Sequence, residues 1–201
     1  MKVAIIQYNA GNVQSVLYAL QRLRVNAVVT DDPGEIVMAD KVIFPGVGNA
    51  SSAMEYLNKT GLDKVIGSLK QPVLGICLGL QLLCSQSEEG DTKCLGIFDV
   101  MVKKFQNTLP GEHSPFKIPQ MGWNTITSIS SPLFEGVKEN SFVYYVHSYY
   151  AELSSKTIAT TSYIIPYSAA LHKDNFYGVQ FHSEKSADTG IQIISNFLKI
   201  A

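Results

Sequence analysis

Arginine is scarce in this sequence: Arg22 and Arg24 are the two among 201 residues. Proteins that grip phosphates or read bases lean on the guanidinium fork, and a net charge of -1 offers no basic surface in its place, so no nucleic-acid partner is expected. Charged residues are also few, at 16% against 46% hydrophobic ones, which excludes a disordered chain and leaves ample material for a core. Cysteine is limited to Cys77, Cys84 and Cys94, an odd number with no CxxC pair. That excludes a disulfide framework and the usual zinc spacing, and fits a reduced, intracellular protein. Long apolar runs are missing. The opening MKVAIIQYNAGN turns polar too early for a secretory leader, and no later run reaches membrane-spanning length. Repeats, low-complexity tracts and linkers are absent as well. The expectation is one soluble, cytoplasmic domain over residues 1–201 with no membrane association.

What is present alternates. A β-branched run at 3–6 precedes a helical pattern of Val13, Val16, Leu17, Leu20 and Leu23. AVVT at 27–30 reads as a second strand, DDPG as a turn and KVIF at 41–44 as a third strand. Helical spacing follows at 50–57 and 62–69, and PVLGI at 72–76 is a fourth strand. Strands alternating with helices over short loops predict an α/β fold with a mostly parallel central sheet, covered on both faces. Beyond about residue 95 the strand-like runs FDVMVKKF, NTITSIS, FVYYVHSYYAEL, TIATTSY and YGVQF predict added antiparallel or mixed strands. A helix over about 188–200 closes the chain.

In VLGICLGLQLL, residues 73–83, glycine stands two positions to either side of Cys77. Neither a buried strand nor a core helix needs Gly75 and Gly79, but a nucleophile held on a sharp strand-to-helix turn does, because its neighbours must lack side chains. Such a turn sets the start of a helix beneath the sulfur and aims the N–H of Leu78 at the place an oxyanion would form. Cys84, seven residues on, reads as a core residue, and Cys94 receives no role. A thiolate nucleophile needs a proton carrier oriented by a third group. Of four histidines, His113 in GEHSPF reads as a surface residue, His172 as a strand end and His147 in YYVHSYY as a packing residue. His182 follows the apolar run YGVQF, and Glu184 two residues on can project to the same side of an extended backbone. Ligands of open α/β sheets bind at the carboxyl ends of strands, where Cys77 also lies, so Cys77, His182 and Glu184 form a candidate triad. The HxE of zinc deaminases needs a following CxxC, which is missing.

GICLGLQLL, with PGVG upstream and HSEKS near the end, resembles the class I glutamine amidotransferases, and the likeness runs from the first strand to HSEKS. PQMGWN at 119–124, NAGN near the start and PGVG in place of PGPG resemble one branch, the glutaminase subunits of imidazole glycerol phosphate synthase. The resemblance implies a flavodoxin-like fold, a glutaminase acting through Cys77, His182 and Glu184, and no metal or organic cofactor. It implies that the N–H groups of Leu78 and of the PGVG loop near Val47 and Gly48 meet the oxyanion. Gln81 and the backbone around Ser148 and Tyr149 would hold glutamine's α-amino and carboxylate groups. The ammonia would pass to a separate (β/α)8-barrel cyclase subunit, since little chain follows HSEKS, with Trp123, Tyr144 and Lys185 at the docking and gating contacts. Two positions depart from the family's pattern: Ser183 stands where HPEK has proline, and Gln120 where PHMGWN has histidine. The alternatives are the glutaminase subunit of an anthranilate or aminodeoxychorismate synthase, which favour PGPG and CLGHQ, a self-contained cysteine hydrolase, and a silent binding module.

Overall fold

The computed structural model describes residues 1–9, 12–106 and 116–201. His113 and part of NAGN lie outside the described residues. The apolar runs become strands β1 (Val3–Ile6), β2 (Ala27–Thr30), β3 (Lys41–Gly46) and β4 (Val73–Cys77), parallel in the order β2-β1-β3-β4. Between them run α1 (Val13–Arg22), α2 (Pro33–Val37), α3 (Ala50–Thr60) and α4 (Leu62–Ser68), and α5 (Leu78–Leu83) leaves β4 with no intervening residue. Every residue of β1, β3 and β4 is buried, as strands covered on both faces require.

The second half adds β5 (Gln86–Ser87), β6 (Thr92–Lys93), β7 (Met101–Lys104), β8 (Gln120–Ile126), β9 (Ser141–His147), β10 (Tyr149–Ala151), β11 (Thr157–Tyr163), β12 (Ile165–Lys173), β13 (Phe176–Val179) and α6 (Ala187–Lys199). β13 returns beside β4 and parallel to it; β12, β10 and β7 extend the sheet antiparallel, and β11 pairs with β12. The central order β2-β1-β3-β4-β13 is flavodoxin-like. One apolar core lies between the sheet and Ile36 of α2, Ala53 and Leu57 of α3, Ile66 of α4 and Leu80 of α5. Another lies on the opposite face under Val16 and Leu20 of α1 and Ile194 and Phe197 of α6. The β8–β9 ribbon is a separate two-stranded sheet whose Val143 and Tyr145 join this second core.

Local chemistry moved three boundaries. DDPG is the start of α2 rather than a turn, because Asp32 caps it by accepting from the Glu35 N–H at 2.8 Å and Pro33 opens the helix. FVYYVHSYYAEL is broken at Ser148, where the chain leaves the ribbon for the main sheet. The strand expected around NTITSIS begins earlier, at Gln120, and ends at Ile126 before Ser128 takes a φ of 52°.

The glycines around Cys77 are explained by packing. A Cβ at Gly79 would lie 1.9 Å from the Phe44 carbonyl oxygen, and one at Gly75 would meet Leu83 at 2.8 Å and the Gly79 backbone at 2.9 Å. Helix α5 therefore lies directly on β3 and β4. Gly79→Ala is expected to cost ~3 kcal/mol, since backbone cannot yield as a side-chain tip can, and to lower Tm by about 10 °C. Gly67→Ala in α4, where a Cβ meets nothing within 4 Å, is expected to stabilise by about 0.5 kcal/mol. Thermal melts of the two variants check both signs.

Candidate active site

Cys77 ends β4 with φ 55° and ψ -108°, a left-handed conformation that costs a non-glycine residue about 1–3 kcal/mol. The close packing of Gly46, Gly75 and Gly79 holds it there. α5 spans six residues, so Cys84 lies just past its end rather than two turns along it, yet is fully buried as expected. Burial pushes the Cys84 thiol well up and the Cys94 thiol to about 12, which leaves both poorly reactive.

Pairing of β13 with β4 sets Val179 opposite Ile76 and delivers the following residues to the sulfur. His182 Nδ1 donates to Glu184 Oε1 at 2.7 Å, and both side chains are 1% exposed. Since a carboxylate only accepts, Nδ1 carries the hydrogen and Nε2 is the basic nitrogen. The pair is not built by strand alternation: Ser183–Lys185 form one turn of 3₁₀ helix that brings the carboxylate back beneath the ring. His182 N–H donates to the Tyr144 carbonyl at 2.9 Å, and Ser186 Oγ accepts from the Tyr144 N–H while donating to the His182 carbonyl. Nε2 is buried without a hydrogen-bond partner. Burial pushes the imidazole down, but the Cys77 sulfur and the Glu184 carboxylate outweigh it, so His182 holds a proton more readily than a free imidazole.

The end of β4 opens onto a cavity of about 420 Å³ lined by Val47, Gly48, Cys77, Leu78, Gln81 and Ser148, among others. Tyr149 borders it too. Where the PGVG loop borders the cavity, Gly48 has a φ of 113°, a conformation suited to glycine. Gln81 is buried, and its Nε2 donates both to the Tyr149 carbonyl at 2.9 Å and to Gln180 Oε1 at 3.0 Å. The Ser148 carbonyl accepts from the Phe105 N–H at 3.0 Å, while the Tyr149 carbonyl accepts from both Gln81 and His147. Glu89 was not foreseen. It lines the same cavity while its Oε2 accepts from the Ala50 N–H at the start of α3, and its place after a two-residue strand gave no periodic signal. Gln180 was missed for the same reason: YGVQF reads as an apolar run. Among the described residues no three His, Cys, Asp or Glu side chains converge as metal ligands.

Trp123, 52% exposed, projects from the ribbon beside half-buried Tyr144, their rings edge-to-face at 5.9 Å. Met121 and Phe142 are exposed on the same ribbon, and Lys185 is exposed beyond the His182 turn. Trp123 is thus not a core residue.

His147 is buried: Nδ1 donates to the Tyr149 carbonyl at 2.7 Å, and Nε2 lies 3.3 Å from the Tyr167 hydroxyl. Burial chiefly, with a smaller push from His182, lowers it from 6.5 to about 4 against the opposing carbonyl bond. Between those values the unfolded chain binds a proton there that the native one does not, so stability rises with pH across this window. Urea midpoints are expected to fall from pH 7 to pH 4.5, and His147→Gln is expected to flatten the slope. Ser183 Oγ is buried without a partner at the first position of the 3₁₀ turn. Ser183→Pro is expected to stabilise by about 0.5–1 kcal/mol, with a melt as its check.

The sequence matches the family "Glutamine amidotransferase class-I" over residues 4–201. It is 58% identical over 200 residues to imidazole glycerol phosphate synthase subunit HisH of Bacteroides fragilis, covering 100% of both chains. The subunit HisH of Shewanella oneidensis is 46% identical over 213 residues, with 98% of this chain and 96% of that one covered. Among solved structures, a glutamine amidotransferase from Thermotoga maritima superposes with a TM-score of 0.62 at 19% identity, covering 99% of this chain and 83% of that one. PurLQS from the same organism gives 0.70 at 14%, covering 98% and 97%; both likenesses speak to the fold. This chain belongs to the class-I glutamine amidotransferases and, within them, to the family of imidazole glycerol phosphate synthase subunit HisH.

Proposed function

We propose that this chain, as one glutamine amidotransferase domain, hydrolyses glutamine to glutamate and ammonia through Cys77, His182 and Glu184. The observation that carries the reading is a cysteine on a positive-φ elbow, bordering a cavity, whose sulfur acts on the imidazole of a buried histidine–carboxylate couple. Cys77 Sγ attacks the side-chain amide carbon of glutamine as its proton moves to His182 Nε2. The tetrahedral oxyanion is met by the Leu78 N–H and an N–H of the loop at Val47 and Gly48. Collapse breaks the C–N bond, His182 returns the proton to the departing ammonia, and a glutamyl thioester remains on Cys77. His182 then takes a proton from water, the hydroxyl adds to the thioester carbon, and the S–C bond breaks to release glutamate. Glu184 keeps the hydrogen on Nδ1, so that Nε2 faces the reaction.

Gln81 spends both amide hydrogens inside the protein, which leaves its Oε1 to accept from the substrate's α-ammonium group. Glu89 supplies a carboxylate at the same cavity. The ammonia goes to a separate (β/α)8-barrel cyclase subunit, in a cytoplasmic heterodimer that makes imidazole glycerol phosphate and aminoimidazole carboxamide ribotide for histidine biosynthesis. Trp123, Tyr144 and Lys185 form part of that interface. Tyr144 reaches His182 through its own backbone, so docking bears on the base directly. No helix among the described residues is long and apolar enough to cross a membrane.

Glutamate release is expected to rise strongly when the cyclase and its nucleotide substrate are added, and to vanish in Cys77→Ala. Glu184→Gln should lose roughly a hundredfold or more in kcat. An equal rate with and without the cyclase would sink the coupling, and release by Cys77→Ala would sink the nucleophile.

A further inference from the structure

Gln180 is fully buried where β13 passes Cys77, and it belongs to neither the triad nor the cavity lining. Its orientation follows from counting hydrogens. The Tyr149 carbonyl can only accept, and it does so from His147 Nδ1 and from Gln81. The Gln81 amide therefore cannot be reversed without setting oxygen against oxygen. Its second hydrogen must reach an acceptor, which fixes the near atom of Gln180 as Oε1 at 3.0 Å. The far atom of Gln180 is then Nε2, and it points at Cys77 Sγ from 3.7 Å. Besides the His182 ring, which takes its proton, the sulfur faces the Val146 carbonyl at 3.9 Å, which only accepts. Cys77 Sγ thus sits between an acceptor suited to the thiol and a donor suited to the thiolate.

We propose that Gln180 is a further catalytic residue, which stabilises the anionic Cys77 sulfur through an N–H···S hydrogen bond. The proposal rests on the reading of Cys77 as nucleophile. A bond to a charged acceptor strengthens as the charge forms, so Gln180 acts when the proton leaves for His182 and again when the thioester breaks. It also ties the sulfur to Gln81 and the Tyr149 backbone, so the glutamine-binding wall and the nucleophile share one hydrogen-bond chain.

The test is alkylation of Cys77 by iodoacetamide in the full chain, which needs neither glutamine nor the cyclase. Gln180→Met keeps the side chain's length and removes the donor. His182 with Glu184, His147, Glu89, Tyr149 and Tyr8, whose hydroxyl donates to the Pro45 carbonyl, are the other titratable groups around the sulfur, and the substitution removes none of them. Alkylation at pH 7 is expected to fall about tenfold or more, and its pH profile to move about one unit alkaline. Where Gln180→Met does not fold, Gln180→Asn carries the same test, since it draws the amide back by one methylene. An unchanged rate and profile in a folded variant would overturn the proposal. If wild-type glutamate release persists alongside that result, the role of Gln180 falls and the glutaminase reading stands.

Discussion

The structure depends on the parallel pairing of β13 with β4. Their paired residues are 103 positions apart in the chain, and the register sets Gly178 against Gly75 and Val179 against Ile76. Glycine on both strands lets α5 settle on the sheet: a Cβ at Gly178 would meet Leu80 at 2.9 Å, as one at Gly75 would meet Leu83. Slippage by one residue would turn every side chain to the other face and carry His182 away from Cys77. One hydrogen-bonded pairing thus fixes both the elbow and the position of His182.

That pairing also explains how a strained residue persists. Cys77 holds a positive φ because β3, β4 and α5 leave it no other path, and the surrounding burial offsets the local cost. The polar groups behind it are linked by hydrogen bonds. His147 and Gln81 share the Tyr149 carbonyl, Gln81 passes its second hydrogen to Gln180, Gln180 reaches the sulfur, and all three are buried. Few alternative arrangements satisfy so many buried donors at once, which makes the geometry of this wall specific.

Much of this was legible in the residues. Gly75 and Gly79 flanking Cys77 have no use in a strand or a helix, so their spacing exposed the elbow before any coordinates. The alternating first half dictated the parallel sheet, because only buried strands tolerate unbroken β-branched runs. The pair of His182 and Glu184 was found by spacing, although the turn that joins them is 3₁₀ rather than extended. Glu89 and Gln180 stayed hidden for a physical reason: a polar residue at the end of a short strand carries no periodicity, and its role appears only when a distant strand is laid beside it. The break at Ser148 was equally silent, since a switch between two sheets leaves both flanking runs looking like one strand.

The most direct test of the account is to trap the intermediate. The chain with its cyclase, turning over labelled glutamine, would be quenched in acid, digested and mapped by mass spectrometry. A glutamyl thioester is expected on Cys77 and on neither Cys84 nor Cys94. Glutamate formed with no adduct on Cys77, or with the label on another residue, would contradict it.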